Sequence, residues 1–140
     1  MITRTVLLPC AAERAFVLFT ERAGEWWPAE RRHTRDPQST IRIEKTGRFY
    51  ERSSDGAEVE LGVVRLFEPA RRLVLDWYPG TGAAQPTHVE IRFELEGAAT
   101  RVTIEHRPGT ASAEVYPQRA AAYEASWARV CAAWEVAAAA

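Results

Sequence analysis

Hydrophobic and polar residues alternate along most of the chain between positions 40 and 106. TIRIEKT and TRVTIEHR follow this rule, and the turn signal SSDG separates two further strand-like runs. In THVEIRFELEG the alternation is strict and places four apolar residues on one face, namely Val89, Ile91, Phe93 and Leu95. The pattern predicts about six antiparallel strands, each with one face on a core and one in water. A first strand is predicted ahead of them, over residues 2–8.

A first helix is predicted between this strand and the sheet region. In AAERAFVLFTER the apolar residues share one face, which contains Ala12, Ala15, Phe16 and Phe19. Gly24 is expected to end this helix, because glycine is the usual residue just past a helix end. The charged segment EWWPAERRHTRDPQS, which contains two prolines, is then expected to form a short helix or a loop.

A long amphipathic helix is predicted at the C-terminus, with Pro117 in its first turn and its end near Val136. Its apolar arc contains Tyr123, Trp127, Val130, Cys131 and Trp134. Strands bracketed by helices indicate an α+β fold, and a single domain spanning residues 1–140 is predicted. A curved antiparallel sheet of about seven strands should wrap this helix, leaving space that side chains or a bound molecule would fill.

Composition and charge exclude several classes of protein. Hydrophobic residues make up 46% of the chain and charged residues 26%, which is typical of a soluble globular domain. The formal net charge of −1 argues against nucleic-acid binding, which depends on clustered positive charge. No signal peptide or apolar run long enough to cross a membrane is found, so a cytoplasmic location without membrane insertion is expected. Cys10 and Cys131 are expected to be buried, reduced thiols.

A binding cavity is predicted between the terminal helix and the sheet. The apolar face of the helix would form one wall, and the inward-facing residues of the strands would form the other. Only one of the adjacent Trp26 and Trp27 can enter the core, and Trp26 is the candidate for the cavity mouth. The expected ligand-binding residues are Trp26, Phe49, Glu51, Trp77, Ile91, Phe93, His106, Tyr123, Trp127, Val130 and Trp134. The alternative is that the aromatic residues simply pack the core.

Two of these residues are weak candidates for acid/base catalysis. Glu51 shares the inward phase of Phe49, so its carboxyl should be buried and either protonated, with a raised pKa, or paired with an arginine. His106 is in phase with Val102 and Ile104, and it is either a proton-transfer partner of Glu51 or a hydrogen-bonded structural histidine. The histidines lack metal-ligand spacing and no nucleotide-binding motif occurs, so no metal and no cofactor are expected.

Four segments together resemble a known superfamily: AFVLFTERAGEWWP, GRFYERSSDGAEVELGVVRLFEPARRLVLDWYPG, VEIRFELEGAATRVTIEHR and YEASW. They resemble the START-like, SRPBCC superfamily, and within it the family named after the C-terminal domain of the activator of the 90-kDa heat-shock-protein (Hsp) ATPase. The resemblance implies the helix-grip fold of the major birch pollen allergen, with a hydrophobic cavity between the C-terminal helix and the sheet. The family's Y..GW motif reads Tyr123-Glu-Ala-Ser126-Trp127 here, with serine in place of glycine.

Three functions are compatible with these observations. The preferred one is non-catalytic binding of a small hydrophobic or amphipathic molecule in the cavity. The second is a polyketide aromatase/cyclase-like enzyme in the same cavity, which requires Glu51 and His106 to lie within hydrogen-bonding reach. The third is a chaperone-linked protein-interaction module, which predicts an exposed apolar patch around Trp26 or Trp27. A homodimer is compatible with a domain of this size, but no feature of the sequence supports it.

Overall fold

The computed structural model describes all residues from 1 to 140. The elements are β1 (Ile2–Leu8), α1 (Ala12–Thr20), two short 3-10 helices (Ala23–Glu25 and Ala29–Arg31), β2 (Thr40–Ile43), β3 (Arg48–Arg52), β4 (Glu58–Glu68), β5 (Arg72–Trp77), β6 (Thr87–Glu96), β7 (Ala99–Pro108) and α2 (Tyr116–Ala139). This is the order of strand, helix, six strands and long helix that the hydrophobic pattern predicts.

The seven strands form one antiparallel sheet in the order β1-β7-β6-β5-β4-β3-β2. Six of them follow one another as a meander, and β1 pairs with β7 along its whole length, from Ile2 opposite His106 to Leu8 opposite Thr100. The sheet twists and curls, and α2 packs on its concave side against β1 and α1. The predicted α+β arrangement, a curved seven-stranded sheet around a long terminal helix, is confirmed.

The alternation in β6 determines which residues enter the core, with one exception at its end. Val89 and Ile91 are fully buried and Phe93 is 6% exposed, as predicted. The prediction for Leu95 is wrong, because its side chain is 73% exposed. Leu95 pairs with Thr100 close to the turn between β6 and β7, where the hairpin extends beyond the core.

Gly24 has a different role from the predicted one. The first helix ends at Thr20, before Gly24, and the Thr20 hydroxyl donates to the Phe16 carbonyl at 2.8 Å in the last turn. Gly24 lies in the first 3-10 helix, where a Cβ atom would stand 2.9 Å from the Ser39 carbonyl oxygen. It is therefore required for close backbone packing against the start of β2.

The terminal helix α2 begins at Tyr116, has Pro117 in its first turn as predicted, and buries Trp127, Val130 and Trp134. Both cysteines are buried and free, and burial raises the pKa of the Cys131 thiol to about 11. Neither α2 nor α1 combines the length and the apolar character that crossing a bilayer requires.

The C-terminal half of α2 is packed tightly against the rest of the protein. The Trp134 side chain is fully buried, and its ring lies 4.6 Å from that of Phe19 and 5.9 Å from those of Trp26 and Phe93, measured between centroids. The indoles of Trp26 and Trp134 stack with an angle of 11° between their planes. Side chains of α1 and of the segment after it thus fill the space between this half of the helix and the sheet.

Candidate functional site

A cavity of about 280 Å³ lies beside the N-terminal half of α2. Its walls come from α2, the inner face of the sheet, the segment around the second 3-10 helix and the loop after β5. It is lined by Arg119, Ala122, Tyr123, Ser126, Trp127 and Val130 of α2, by Phe49, Leu61 and Trp77 of the sheet, and by Trp27, Glu30, Arg31, Arg32, His33, Pro79, Gly80 and Thr81. Because exposed residues such as Glu30 and Gly80 are among these, the cavity opens to solvent.

Aromatic side chains form the inner wall of this cavity. The ring of Trp77 lies 4.9 Å from that of Trp127 and 4.9 Å from that of Phe49, with interplanar angles of 30° and 35°. All three side chains are buried, with exposed fractions of 8% or less. Leu61 and Val130 complete the apolar surface, which suits a flat hydrophobic group.

The α2 residues of the cavity follow the helical repeat. Arg119, Tyr123 and Trp127 are four residues apart in one row, and Ala122, Ser126 and Val130 form the adjacent row. Ala122 and Ser126 are small, so the space above them is open. Ser126, which stands where the family motif has glycine, faces this space.

The orientation of Trp127 is held by a chain of buried hydrogen bonds. Its indole N–H donates to His106 Nδ1 at 3.0 Å, so the proton of the neutral imidazole must be on Nε2. His106 Nε2 lies 2.7 Å from the Thr87 hydroxyl, which donates to the Trp77 carbonyl oxygen at 2.7 Å. His106 is thus the hydrogen-bonded structural histidine among the two predicted alternatives, and it links the two tryptophans of the aromatic wall.

Burial of His106 makes stability dependent on pH. Its side chain is fully buried, and desolvation together with His88 and the N-terminal ammonium lowers its pKa from 6.5 to about 4. Below about pH 6.5 the imidazole is therefore protonated in the unfolded chain but stays neutral in the folded protein. Protonation then favours the unfolded chain, so the free energy of unfolding is highest above pH 6.5 and falls as the pH decreases towards 4.

We expect the wild type to lose about 2 kcal/mol between neutral pH and about pH 5 through this group, and His106→Gln to avoid that loss. Glutamine keeps an acceptor for Trp127 and a donor for Thr87 but does not titrate. Urea unfolding across this pH range measures the difference between the two proteins, and His33 and His88 are common to both. Parallel pH profiles would contradict the assignment.

Glu51 is fully buried, as its phase with Phe49 predicts, but its pKa is not raised and no arginine forms a salt bridge with it. Its carboxylate accepts the backbone N–H groups of His33 at 2.8 Å and Thr34 at 3.0 Å, and also the Thr34 hydroxyl. Burial alone would raise its pKa, yet these hydrogen bonds outweigh that effect and lower it. Glu51 is therefore an anion that anchors the segment after the second 3-10 helix.

The expected couple of Glu51 and His106 is not formed in the structure. The polar atoms of each side chain are engaged by other groups, and neither residue lines the cavity. The enzyme hypothesis also needed a carboxyl group with a raised pKa, whereas the pKa of Glu51 is lowered. The pKa of His106 is lowered as well, so its imidazole is neutral at pH 7. The acid/base mechanism on these two residues has no structural support.

The structure places five of the eleven expected ligand-binding residues in the cavity lining: Phe49, Trp77, Tyr123, Trp127 and Val130. The other six do not line it, and these are Trp26, Glu51, Ile91, Phe93, His106 and Trp134. Trp26, Phe93 and Trp134 pack against one another or against Phe16 of α1 at the filled end of the helix. Trp27 rather than Trp26 reaches the cavity, since the Trp26 indole N–H donates to the Leu18 carbonyl at 2.9 Å.

Neither tryptophan of this pair forms the exposed patch that a protein-interaction module predicts. Trp27 is 8% exposed, and Trp26 is partly buried against the core. Its neighbours in space include Phe19 and Trp134, with ring centroids 6.3 Å and 5.9 Å away.

Sequence reasoning missed the basic residues of the cavity. Arg119 could have been found, because it precedes Tyr123 by four residues in the row that continues to Trp127. Arg31 carries no such signal, since it lies among many arginines in an irregular segment. Clusters of His, Cys, Asp or Glu that could hold a metal ion are absent from the structure.

The comparison with protein families identifies one match over most of the chain. The family model described as "Activator of Hsp90 ATPase homolog 1-like protein" matches residues 9–135. None of the curated proteins matches this chain in sequence.

Several solved structures have the same fold. The self-sacrificing resistance protein CalC from Micromonospora echinospora superposes with a TM-score of 0.73 at 25% identity, over 98% of this chain and 92% of that one. A protein from Rhodobacter sphaeroides gives 0.68 at 18% identity, over 98% and 90%. The anthrahydroquino-γ-pyrone synthase Txn09 gives 0.55 at 24% identity, over 76% and 75%. Together with the family match, these likenesses confirm the helix-grip fold of the START-like, SRPBCC superfamily, a ligand-binding fold.

Proposed function

This chain belongs to the family of Activator of Hsp90 ATPase homolog 1-like proteins, and we propose that it binds a small amphipathic molecule in the cavity beside α2. The observation that supports this most directly is the open space left against the buried rings of Phe49, Trp77 and Trp127. A core without a ligand-binding role would be expected to close such a gap, because protein interiors pack to nearly crystalline density.

The size of the cavity limits the ligand. An apolar cavity of roughly 150 Å³ accepts one benzene ring. At about 280 Å³ the space beside α2 suits a flat group of one or two rings, or a short alkyl chain, with part of the molecule reaching the open mouth. Txn09, which shares this fold, is named as a synthase of an anthrahydroquino-γ-pyrone, and an aromatic ligand for this chain agrees with that likeness.

Thermal unfolding with a panel of 2-naphthol, 2-naphthamide and decanol tests the proposal. At a concentration about ten times its dissociation constant, a bound molecule should raise the melting temperature by about 4 °C. Ser126→Phe should abolish the rise, because the ring would occupy the cavity from the middle of α2. Ala122→Trp, at the exposed mouth, provides a second blocking variant that leaves the interior unchanged.

The matched control is Ala125→Phe, which adds the same ring to α2 at an exposed position outside the cavity. This variant should respond to the panel as the wild type does. The proposal fails if no compound class raises the wild-type melting temperature, or if both blocking variants respond as fully as the control.

A further inference from the structure

We propose that the cavity selects an anionic ligand, an aromatic acid whose ring lies against Trp77 and Trp127 and whose carboxylate is bound by Arg31 and Arg119. This rests on the proposed function and adds the charge and the orientation of the ligand. It is drawn from two guanidinium groups in the cavity lining that have incomplete hydrogen bonding.

Both arginines present buried N–H groups without an acceptor. Arg31 Nε and Arg119 Nη1 are inaccessible to solvent and have no hydrogen-bond partner, and both residues line the cavity. A buried donor without a partner is costly, and the cost is greater for a charged group. A carboxylate in the cavity would neutralise the charge of the guanidinium groups that line it, through the charge-assisted hydrogen bonds that such groups favour.

The position of Arg119 is unfavourable without a ligand. It lies in the first turn of α2, a helix of 24 residues, where the helix dipole disfavours a cation. No acidic residue in that turn compensates for it. An anion bound at the cavity mouth would remove this penalty.

The balance of charge in the lining also favours an anion. Arg32 adds a third guanidinium, and its hydrogen bonds go to the Ser39 hydroxyl and to the carbonyls of Gly24, Trp27 and Ser39, none of which is charged. The single carboxylate in the lining is that of Glu30, and it is already paired with Arg129 at 3.1 Å. Arg31 lies near Glu30, and Arg32 lies near Asp36 and the buried Glu51, but none of the three arginines of the lining forms an ion pair with a carboxylate.

The apolar and basic surfaces of the cavity come from different elements. The rings of Phe49, Trp77 and Trp127 belong to the sheet and the middle of α2, whereas Arg31 and Arg119 belong to the second 3-10 helix and the first turn of α2. A molecule with a ring at one end and an acid group at the other fits this division, and a neutral ring would leave the guanidinium groups unpaired.

Calorimetric titration with two probes of the same shape tests the inference: 2-naphthoate, which is anionic at neutral pH, and 2-naphthamide, which is neutral. We expect the wild type to bind 2-naphthoate at least about tenfold more tightly than the amide. The double variant Arg31→Gln/Arg119→Gln should lose this preference while still binding the amide. The control Arg71→Gln/Arg107→Gln removes the same charge from exposed sites outside the cavity and should keep the preference.

The outcomes separate the two proposals. Equal binding of acid and amide by the wild type, or a preference that survives in the Arg31/Arg119 variant, overturns the inference and leaves the ligand-binding function in place. Binding of neither probe overturns the proposed function and the inference with it. If the control variant also loses the preference for 2-naphthoate, the preference arises from the overall charge of the protein, and the inference is overturned.

Discussion

Replacing Glu51 with alanine should destabilise the protein by about 4 kcal/mol, because three hydrogen bonds to a buried carboxylate are lost together. The backbone N–H groups of His33 and Thr34 and the Thr34 hydroxyl would be left without an acceptor. Since Arg31 lies two residues before His33, the basic side of the cavity should loosen as well. Equilibrium unfolding in urea, followed by circular dichroism, measures the loss.

Two further variants isolate the cause. Glu94→Ala removes an exposed carboxylate from β6 and should change the free energy of unfolding by less than about 0.5 kcal/mol. Glu51→Gln retains one acceptor and should fall between the wild type and the alanine variant. The folded-state pKa of Glu51 is lowered, so its contribution is present above the unfolded pKa of 4.5 and lost as the pH falls through the folded value. An alanine variant as stable as Glu94→Ala would contradict the anchoring role.

Replacing Gly62 with alanine should cost about 3 kcal/mol or more, through steric overlap in the sheet. An added Cβ would lie 2.2 Å from the Asp76 carbonyl oxygen and 2.8 Å from Cδ2 of Phe49. Strands β4 and β5 would have to separate, and the Phe49 ring, which forms part of the cavity wall, would have to move. Chemical unfolding measures the stability, and tryptophan fluorescence reports the displacement beside Trp77.

Gly56→Ala is the control for this prediction. Gly56 has φ of +91° in the turn between β3 and β4, but no atom lies within 4 Å of an added Cβ. That variant should cost about 1 kcal/mol, from backbone strain alone. A Gly62→Ala variant that is no more destabilised than Gly56→Ala would contradict the close approach of the Asp76 carbonyl to Gly62.

The periodic pattern of the sequence was sufficient to predict the elements and their arrangement. Strict alternation requires one face of a strand to be buried, so the inward positions Val89 and Ile91 could be identified locally. Leu95 shows the limit of this rule, because whether the core reaches the end of a hairpin depends on neighbouring elements. The same rule correctly predicted that Glu51 is buried. It could not predict its hydrogen-bond partners, because the backbone N–H groups of His33 and Thr34 lie 18 and 17 residues away in the sequence.

The sequence by itself determined the succession of strands and helices along the chain, the long terminal helix and the row of aromatic residues on one of its faces, because these depend on the spacing of neighbouring residues. The pairing of β1 with β7, about 100 residues away, was not predicted. Only the tertiary structure decided which part of that helix is packed and which part borders a cavity. Trp134 and Trp127 have the same phase along the helix, yet Phe19 and Trp26 cover one while the other adjoins open space. That difference arises from where α1 lies on the sheet, a long-range contact that no local pattern encodes.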